Sequence, residues 1–252
     1  MKIRGKWCVN AGVVLLIAAF LVTFLIVPLI LAGATGFTLE GEPSFYWFGR
    51  VLSNPVVGRE FLNSLMLAVC TTVLCALVSI PLAMFRARTT FRGQGVFSLL
   101  VLLPLILPPF VGALSIRRIF SQYGSFNILL ENLGVLDFSA GAPPDWLGGG
   151  FAAVVVLQTL HLFPIMYLNA TAALANVDPS YTEAARNLGA GPWRSFWRVT
   201  LPLIRPGLFA GGTIVFIWAL TDIGTPIMLK YEALVPVRVF KELVRGEFGG
   251  MT

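Results

Sequence analysis

Residues 181–202 read YTEAARNLGAGPWRSFWRVTLP, a polar, helix-forming stretch set between two long apolar runs. Asp178-Pro179 just ahead of it starts a helix well, because the Asp side chain can cap free amides and Pro suits the first helical position. Ser180 to Leu188 continue that helix, and Gly189 stops it, as a glycine with positive φ does at a helix C-terminus. Gly191-Pro192 then opens a second helix. Trp193, Phe196, Trp197 and Thr200 fall at i, i+3, i+4 and i+7 on it and make one apolar face, while Arg194 and Arg198 are neighbours on another. Leu201-Pro202 and Arg205-Pro206 carry the chain into the next apolar run. Apolar spans ordinarily return through short turns. A patterned segment from 173 to 205 therefore reads as a docking surface for another protein, with mechanical coupling as its task. A helix lying on anionic lipid would account for the tryptophans and arginines. It would not account for the Glu183-Ala184-Ala185 face, whose small residues let a protein surface approach closely.

The chain around this loop is 57% hydrophobic and only 12% charged over 252 residues, with a mean hydropathy of +0.83. A soluble domain of that length could not hide so much apolar surface, so the lipid bilayer is the expected solvent. A helical span needs roughly 20 apolar residues. Stretches near 11–32, 62–85, 96–116, 151–172 and 207–229 qualify, which predicts an all-α, polytopic membrane bundle of about five helices. Residues 1–60 form an N-terminal tail, first span and loop, and 61–252 form the core. Prolines interrupt nearly every span, at Pro28, Pro81, the Pro104/Pro108/Pro109 set and Pro164, which predicts kinks or broken helices. Lys2, Arg4 and Lys6 imitate a signal peptide, but the apolar run from Ala11 to Leu31 exceeds the roughly 7–15 residues of such a segment, so an uncleaved anchor is expected. Cys8, Cys70 and Cys75 show no paired spacing, which leaves them as small packing residues and predicts neither a disulfide framework nor a metal site.

Charge sets the orientation. With the N-terminus inside, the inner segments hold Lys2, Arg4, Lys6, Arg86, Arg88, Arg92, Arg186, Arg194, Arg198 and Arg205, against Arg50, Arg59, Arg117 and Arg118 outside. The positive-inside rule then places 173–205 in the cytoplasm, with Arg117 and Arg118 expected to reach for the outer interface. The net charge of +6 is thus topological. Scattered over three loops, it does not make a nucleic-acid surface.

Few ionisable groups lie in the spans. Asp222 stands sixteen residues past Pro206, about 24 Å along a helix, which brings it near the outer surface. It is expected either to cap a turn, with Thr225-Pro226 starting a new short helix, or to line the outer mouth of a pathway for a cationic substrate. His161, in the fourth span beside Phe163-Pro164, is expected to be a neutral histidine bonded to a freed carbonyl. An ATPase-independent secondary transporter would need its own coupling residues, and only these two are available. An intramembrane enzyme would need clustered acids, a nucleophile with its base, or metal ligands. The Gly148-Gly149-Gly150 run is a turn, and no Gly-x-x-x-x-Gly-Lys-Ser/Thr loop occurs, so any nucleotide hydrolysis must come from another polypeptide.

Glu183-Ala184-Ala185, then Gly189, then Val199-x-Leu201-Pro202 resembles the signature loop of binding-protein-dependent ABC importer permeases, with valine at 199 where the family most often has isoleucine. Asn63-Ser64, Asp178-Pro179 and Pro206-Gly207-Leu208 extend the likeness over about residues 60–230. It implies the permease fold and a multi-pass place in the bacterial inner membrane with the N-terminus cytoplasmic. It also implies that 178–202 holds the coupling helices, seated in a groove of a separate ATPase subunit. By that resemblance Glu183, Ala184, Ala185, Gly189, Leu201 and Pro202 form the coupling set, Glu183 making a polar contact and Gly189 permitting the bend. The implied partners are ATP-binding-cassette subunits carrying ATP and magnesium, a periplasmic or lipoprotein substrate-binding protein, and a second permease half in the same polypeptide or a paired copy. This chain needs no cofactor of its own. Leu103-Pro104, Leu107-Pro108-Pro109-Phe110-Val111-Gly112 and Asp222-x-Gly224-Thr225-Pro226 resemble ferric-iron permeases and their polyamine, thiamine and phosphonate relatives. That implies ferric iron as cargo and, since the loop occurs once, the N-terminal part of a tandem fusion truncated before a sixth span.

Overall fold

The computed structural model describes residues 13–39, 42–138 and 141–245. Cys8, Lys2, Arg4 and Lys6 lie outside the described residues, as does the glycine-rich stretch after 245. The chain divides into two compact units, Met1–Arg59 and Glu60–Thr252. The first contains α1 (Val13–Ala34), whose side chains are exposed throughout, as expected of a helix bathed in lipid. A two-residue antiparallel pair, β1 (Thr38–Leu39) with β2 (Glu42–Pro43), and a short helix α2 (Tyr46–Ser53) follow.

In the second unit α3 (Pro55–Arg88), α7 (Gly150–Ala175) and α9 (Pro192–Thr221) are each long and apolar enough to cross a membrane. With no water in the hydrocarbon, helices satisfy every backbone group internally. What holds them together is close packing of small residues. On α3, Ser64, Ala68, Thr71, Cys75, Ser79 and Ala83 form one buried stripe. From it the Cys75 thiol reaches Thr159 O at 3.7 Å and Ser79 Oγ donates to Phe163 O at 2.8 Å, fixing the register of α3 against α7. Cys75 is thus the small packing residue expected of it. On α9, Gly207 and Gly211 lie one turn apart against Asn169, Ala173 and Met166 of α7. α7 is the most enclosed of these helices.

The third expected span is not one helix. α4 (Gln94–Ile106) and the segment beginning with α5 (Pro109–Phe120) are bent by 100°. The cause is local: a residue before proline is pushed out of the helical region, and Leu107 and Pro108 are both extended, with ψ of 136° and 135°. Pro108 has no N–H to give to Pro104 O, and His161 Nδ1 meets that freed carbonyl at 3.0 Å, as expected for this histidine. The fifth expected span also differs. The helix begins at Pro192, passes through a π-helical turn at Phe196–Thr200, and ends at Thr221, short of 229. Asp222 turns the chain into the short α10 (Gly224–Met228).

The segments at that end are ordered by buried polar residues. Asn127, on α6 (Ser125–Asn132), is fully buried. It donates to Gln122 O and Pro144 O at 2.8 and 2.7 Å and accepts from Trp146 Nε1 at 2.6 Å. Gly148, Gly149 and Gly150 all have positive φ (57°, 69° and 78°), which makes the expected turn into α7. Arg117 donates to Met228 O at the C-terminus of α10, so it caps a helix dipole and does not simply reach for the interface. A final amphipathic helix, α11 (Val235–Arg245), packs back on the start of α3. Asn63 Nδ2 donates to Ala233 O at 3.1 Å, Ser64 Oγ accepts from Val235 N at 3.0 Å, and Arg238 pairs with Glu60 at 3.0 Å.

Candidate functional site

The loop between α7 and α9 is built as its sequence dictates. Asp178 Oδ1 accepts from Ser180 N at 2.8 Å and Pro179 occupies the first turn of α8 (Pro179–Asn187). The Ser180 backbone N–H and then its hydroxyl hold the Asp178 carboxyl below its ordinary pKa. At the other end Gly189 N donates to Arg186 O at 2.8 Å and Ala190 N to Ala185 O at 2.9 Å, with Gly189 at φ +81°. This is the Schellman arrangement, in which a left-handed residue closes the last carbonyls of a helix. A Cβ on Gly189 would meet nothing within 4 Å, so glycine is required there by backbone conformation and not by space.

α8 has no buried residue. Leu188, at its C-terminal edge, is 89% exposed, and Tyr181 and Trp193 are exposed as well. Glu183, Ala184 and Gly189 are exposed and Ala185 is half-buried. Glu183 has no ion-pair partner among the described residues. These residues form one unit, packed on the first turns of α9. Leu201 and Pro202 stand apart from it. Both are half-buried where α9 leaves the π turn, and Leu201 lines an apolar cavity of about 590 Å³ against Ile80, Pro81 and Met84 of α3, rimmed by Trp193 and Trp197. The unit is anchored from below by buried Ser195 and Thr200, and Thr200 Oγ1 accepts from Arg88 at 3.4 Å. Exposed Arg186, Arg194, Arg198 and Arg205 make the surface basic. Leu188 is the residue that attention to the small alanines passed over. Its signal was a large apolar side chain at the glycine stop of an otherwise polar helix.

Asp222 lies twenty-one residues beyond Leu201, about 32 Å along α9, at the opposite end of the bundle. Its Oδ1 accepts from Gly224 N at 3.0 Å and Thr225 N at 3.4 Å, and its Oδ2 accepts from Gln158 Nε2 at 3.0 Å. Thr71 Oγ1 donates to Gln158 Oε1 at 3.3 Å. The carboxylate therefore caps α10 and ends a polar relay joining α3, α7 and α9. It is only partly exposed.

The profile of the family described as "Binding-protein-dependent transport system inner membrane component" matches residues 79–233. A molybdenum transport system permease protein of Mycobacterium bovis is 34% identical over 183 residues, 71% of this chain and 64% of the relative; the chain thus spans under two thirds of that relative's length. A probable molybdenum ABC transporter permease protein of Haloferax volcanii is 32% identical over 230 residues, 91% of this chain and 78% of the relative. Other relatives are named for transport of spermidine and putrescine, sulfate and ferric iron. Among solved structures, a bacterial ABC transporter importing the acidic polysaccharide alginate has a chain that superposes with a TM-score of 0.72 at 20% identity, over 98% of this chain and 87% of its own. At that identity the likeness concerns the fold.

Proposed function

The chain belongs to the family of binding-protein-dependent transport system inner membrane components, and from that premise we propose that it is the channel-forming permease subunit of an ATP-driven importer. It is a multi-pass membrane protein of the ABC importer permease fold. In this reading α8 and its glycine turn seat in a groove of a separate ATPase, which carries the ATP and magnesium. Closure of two ATPases moves the loop and rocks α7 and α9, to which the loop is covalently joined. A binding protein delivers substrate at the opposite end, and a second permease half completes the pathway. The observation that carries the proposal is a capped helix with no buried residue, closed by a left-handed glycine and presenting Leu188 at 89% exposure. An isolated chain gains nothing by exposing that leucine to water. The test is co-purification with the ATPase and ATP-dependent uptake for Leu188→Asp and Glu183→Ala. Loss of both with folding intact is expected. If Leu188→Asp retained full association and uptake, the docking assignment would be withdrawn.

For the cargo we favour a molybdate-type oxyanion over the ferric iron that the Leu103-Pro104 and Asp222-x-Gly224 patterns suggested, because relatives at 34% and 32% identity are named for molybdenum. Element analysis of cells expressing the complete importer separates the two: molybdenum accumulation supports this choice, and iron accumulation restores the other. We also propose that Asp222 borders the outer mouth; a carboxylate there favours a cationic cargo, so this proposal goes with the ferric-iron alternative and not with an oxyanion. Asp222→Asn keeps an oxygen for the Gly224 and Thr225 amides but removes the charge, so unchanged uptake would reduce the residue to a cap.

A further inference from the structure

At the end of the bundle that carries α8, a cavity of about 610 Å³ opens between the end of α3, the start of α4 and the last turns of α7. It shares only Pro179 with the docking helix α8. Its polar lining includes Arg86, Thr90, Tyr167 and Thr171, with Gln94 already donating to Arg86 O and Thr89 O, and no Asp or Glu among the lining residues. Two of these side chains are left over by the fold. Tyr167 is only 3% exposed, and its phenol has no hydrogen-bond partner among the described residues. One turn further on, the Thr171 hydroxyl is buried and likewise has no partner. Both therefore face one side of α7. The Arg86 guanidinium, half-buried in the last turn of α3, has no carboxylate partner among the described residues.

A buried hydroxyl left unpaired costs about 1–3 kcal/mol; Thr171 Oγ1 is such an atom, and beside it an unpartnered phenol and an unpaired guanidinium open on the cavity. Positive-inside topology and the α3 dipole account for Arg86 alone. They do not account for the unpartnered phenol that opens on the same space. The volume exceeds what one bridging water needs, since a water's share of the liquid is about 30 Å³. Several donors, one fixed positive charge and no acid select an oxyanion. We infer that this cavity binds a phosphate-type oxyanion, held by Arg86 and by the hydroxyl of Tyr167. Val177 and Pro179 also line it, so an occupant touches the residues on either side of the Asp178 cap and bears on where α8 sits. The same chemistry is offered by a phospholipid headgroup and by a free inorganic anion.

The experiment uses the assembled transporter in nanodiscs with two probes. One is phosphatidylglycerol in a phosphatidylcholine matrix, counted by native mass spectrometry after release. The other is inorganic phosphate, measured by equilibrium dialysis in pure phosphatidylcholine. Saturable binding of one probe is expected, weakened about tenfold by Arg86→Gln and about threefold by Tyr167→Phe. Tyr167→Phe keeps the ring that packs in the core, and unliganded thermal unfolding of each variant checks that the fold is intact. Retention of phosphatidylglycerol identifies a headgroup site, and phosphate binding identifies a soluble-anion site. If neither probe bound above the Arg86→Gln level, or if binding were indifferent to both variants, water or the ATPase would fill the cavity and the inference would fall. The inference uses nothing from the coupling assignment, so its failure leaves that assignment intact.

Discussion

Replacing Gly189 separates two reasons for a glycine in the loop. Its φ is +81° and a Cβ there would meet nothing within 4 Å, so within this chain the cost of a side chain is conformational. An ordinary L-residue in the left-handed region costs about 1–2 kcal/mol; asparagine costs less because its side chain bonds locally, and a β-branched residue costs more. At about 1.4 kcal/mol per factor of ten, Gly189→Ala lowers the population of the docking-competent turn about five- to thirty-fold. Gly189→Val lowers it further, and Gly189→Asn by the least. Because Ala190 N to Ala185 O and Gly189 N to Arg186 O close α8, a lost turn also frays the face carrying Glu183 and Leu188. The assay is ATPase affinity of the reconstituted permease, measured beside uptake. The expected order is Gly, Asn, Ala, Val, following backbone preference. If Asn were as damaging as Val and Ala were harmless, the effect would follow volume. A partner surface pressing on position 189 would then be the cause, and the backbone argument would be refuted.

Three further outcomes follow from the packing. A Cβ on Gly211 would stand 2.9 Å from Asn169 Cβ and 3.2 Å from Met166 S, so Gly211→Leu should lower the thermal midpoint through overpacking of about 1–3 kcal/mol, whereas Thr213→Leu on the exposed face of α9 should not. Ser64→Ala removes the acceptor of Val235 N and should cost about 1 kcal/mol, read as faster hydrogen exchange in α11 with little change in α8. The depressed Asp178 carboxyl contributes its cap fully above the ordinary carboxylate pKa and loses it as pH falls through the lower folded value. Amide protection at Ser180 should therefore be flat between about pH 6 and 8 and fall only below about pH 4, and Asp178→Ala should abolish the pH dependence.

How much was legible depended on how local the cause was. The Asp178 cap, the Gly189 stop and the Gly148–Gly150 turn each rest on one to three adjacent residues, and the sequence predicts them directly. The broken third span was half legible. Pro108-Pro109 announces an interruption, but not the 100° size of the bend, nor that the carbonyl left open is that of Pro104, met by His161 fifty-seven residues further on. The Thr71–Gln158–Asp222 relay was not legible, since its members are 87 and 64 residues apart and no periodicity links them. α11 was missed for a related reason. Its polar anchors are Ser64 and Glu60 near the start of α3 and its Val237 is buried in the same cluster as Leu67, and only the fold brings those residues to it.

The same distinction bears on coupling. Contacts local in sequence make the proposed docking unit, while long-range contacts make the helix pair that it would move. α8 is joined to α7 through Asp178 and to α9 through the glycine turn, and α7 and α9 meet where Gly207 and Gly211 allow no side chain between them. A push on Leu188 therefore cannot be absorbed by sliding at that crossing without overlap. On the proposed coupling α7 and α9 would move as a pair against α3, which side-chain bonds from Thr71, Cys75 and Ser79 tie to α7. At the far end of the pair the Gln158–Asp222 bond ties α7 to the turn into α10. If the loop couples as proposed, its displacement would thus reach the opposite end of the bundle, about 32 Å away along α9. Cross-linking α3 to α7 through paired cysteines at 79 and 163 should block uptake while leaving ATPase association unchanged. A cross-linked permease that still transported would place the moving boundary elsewhere.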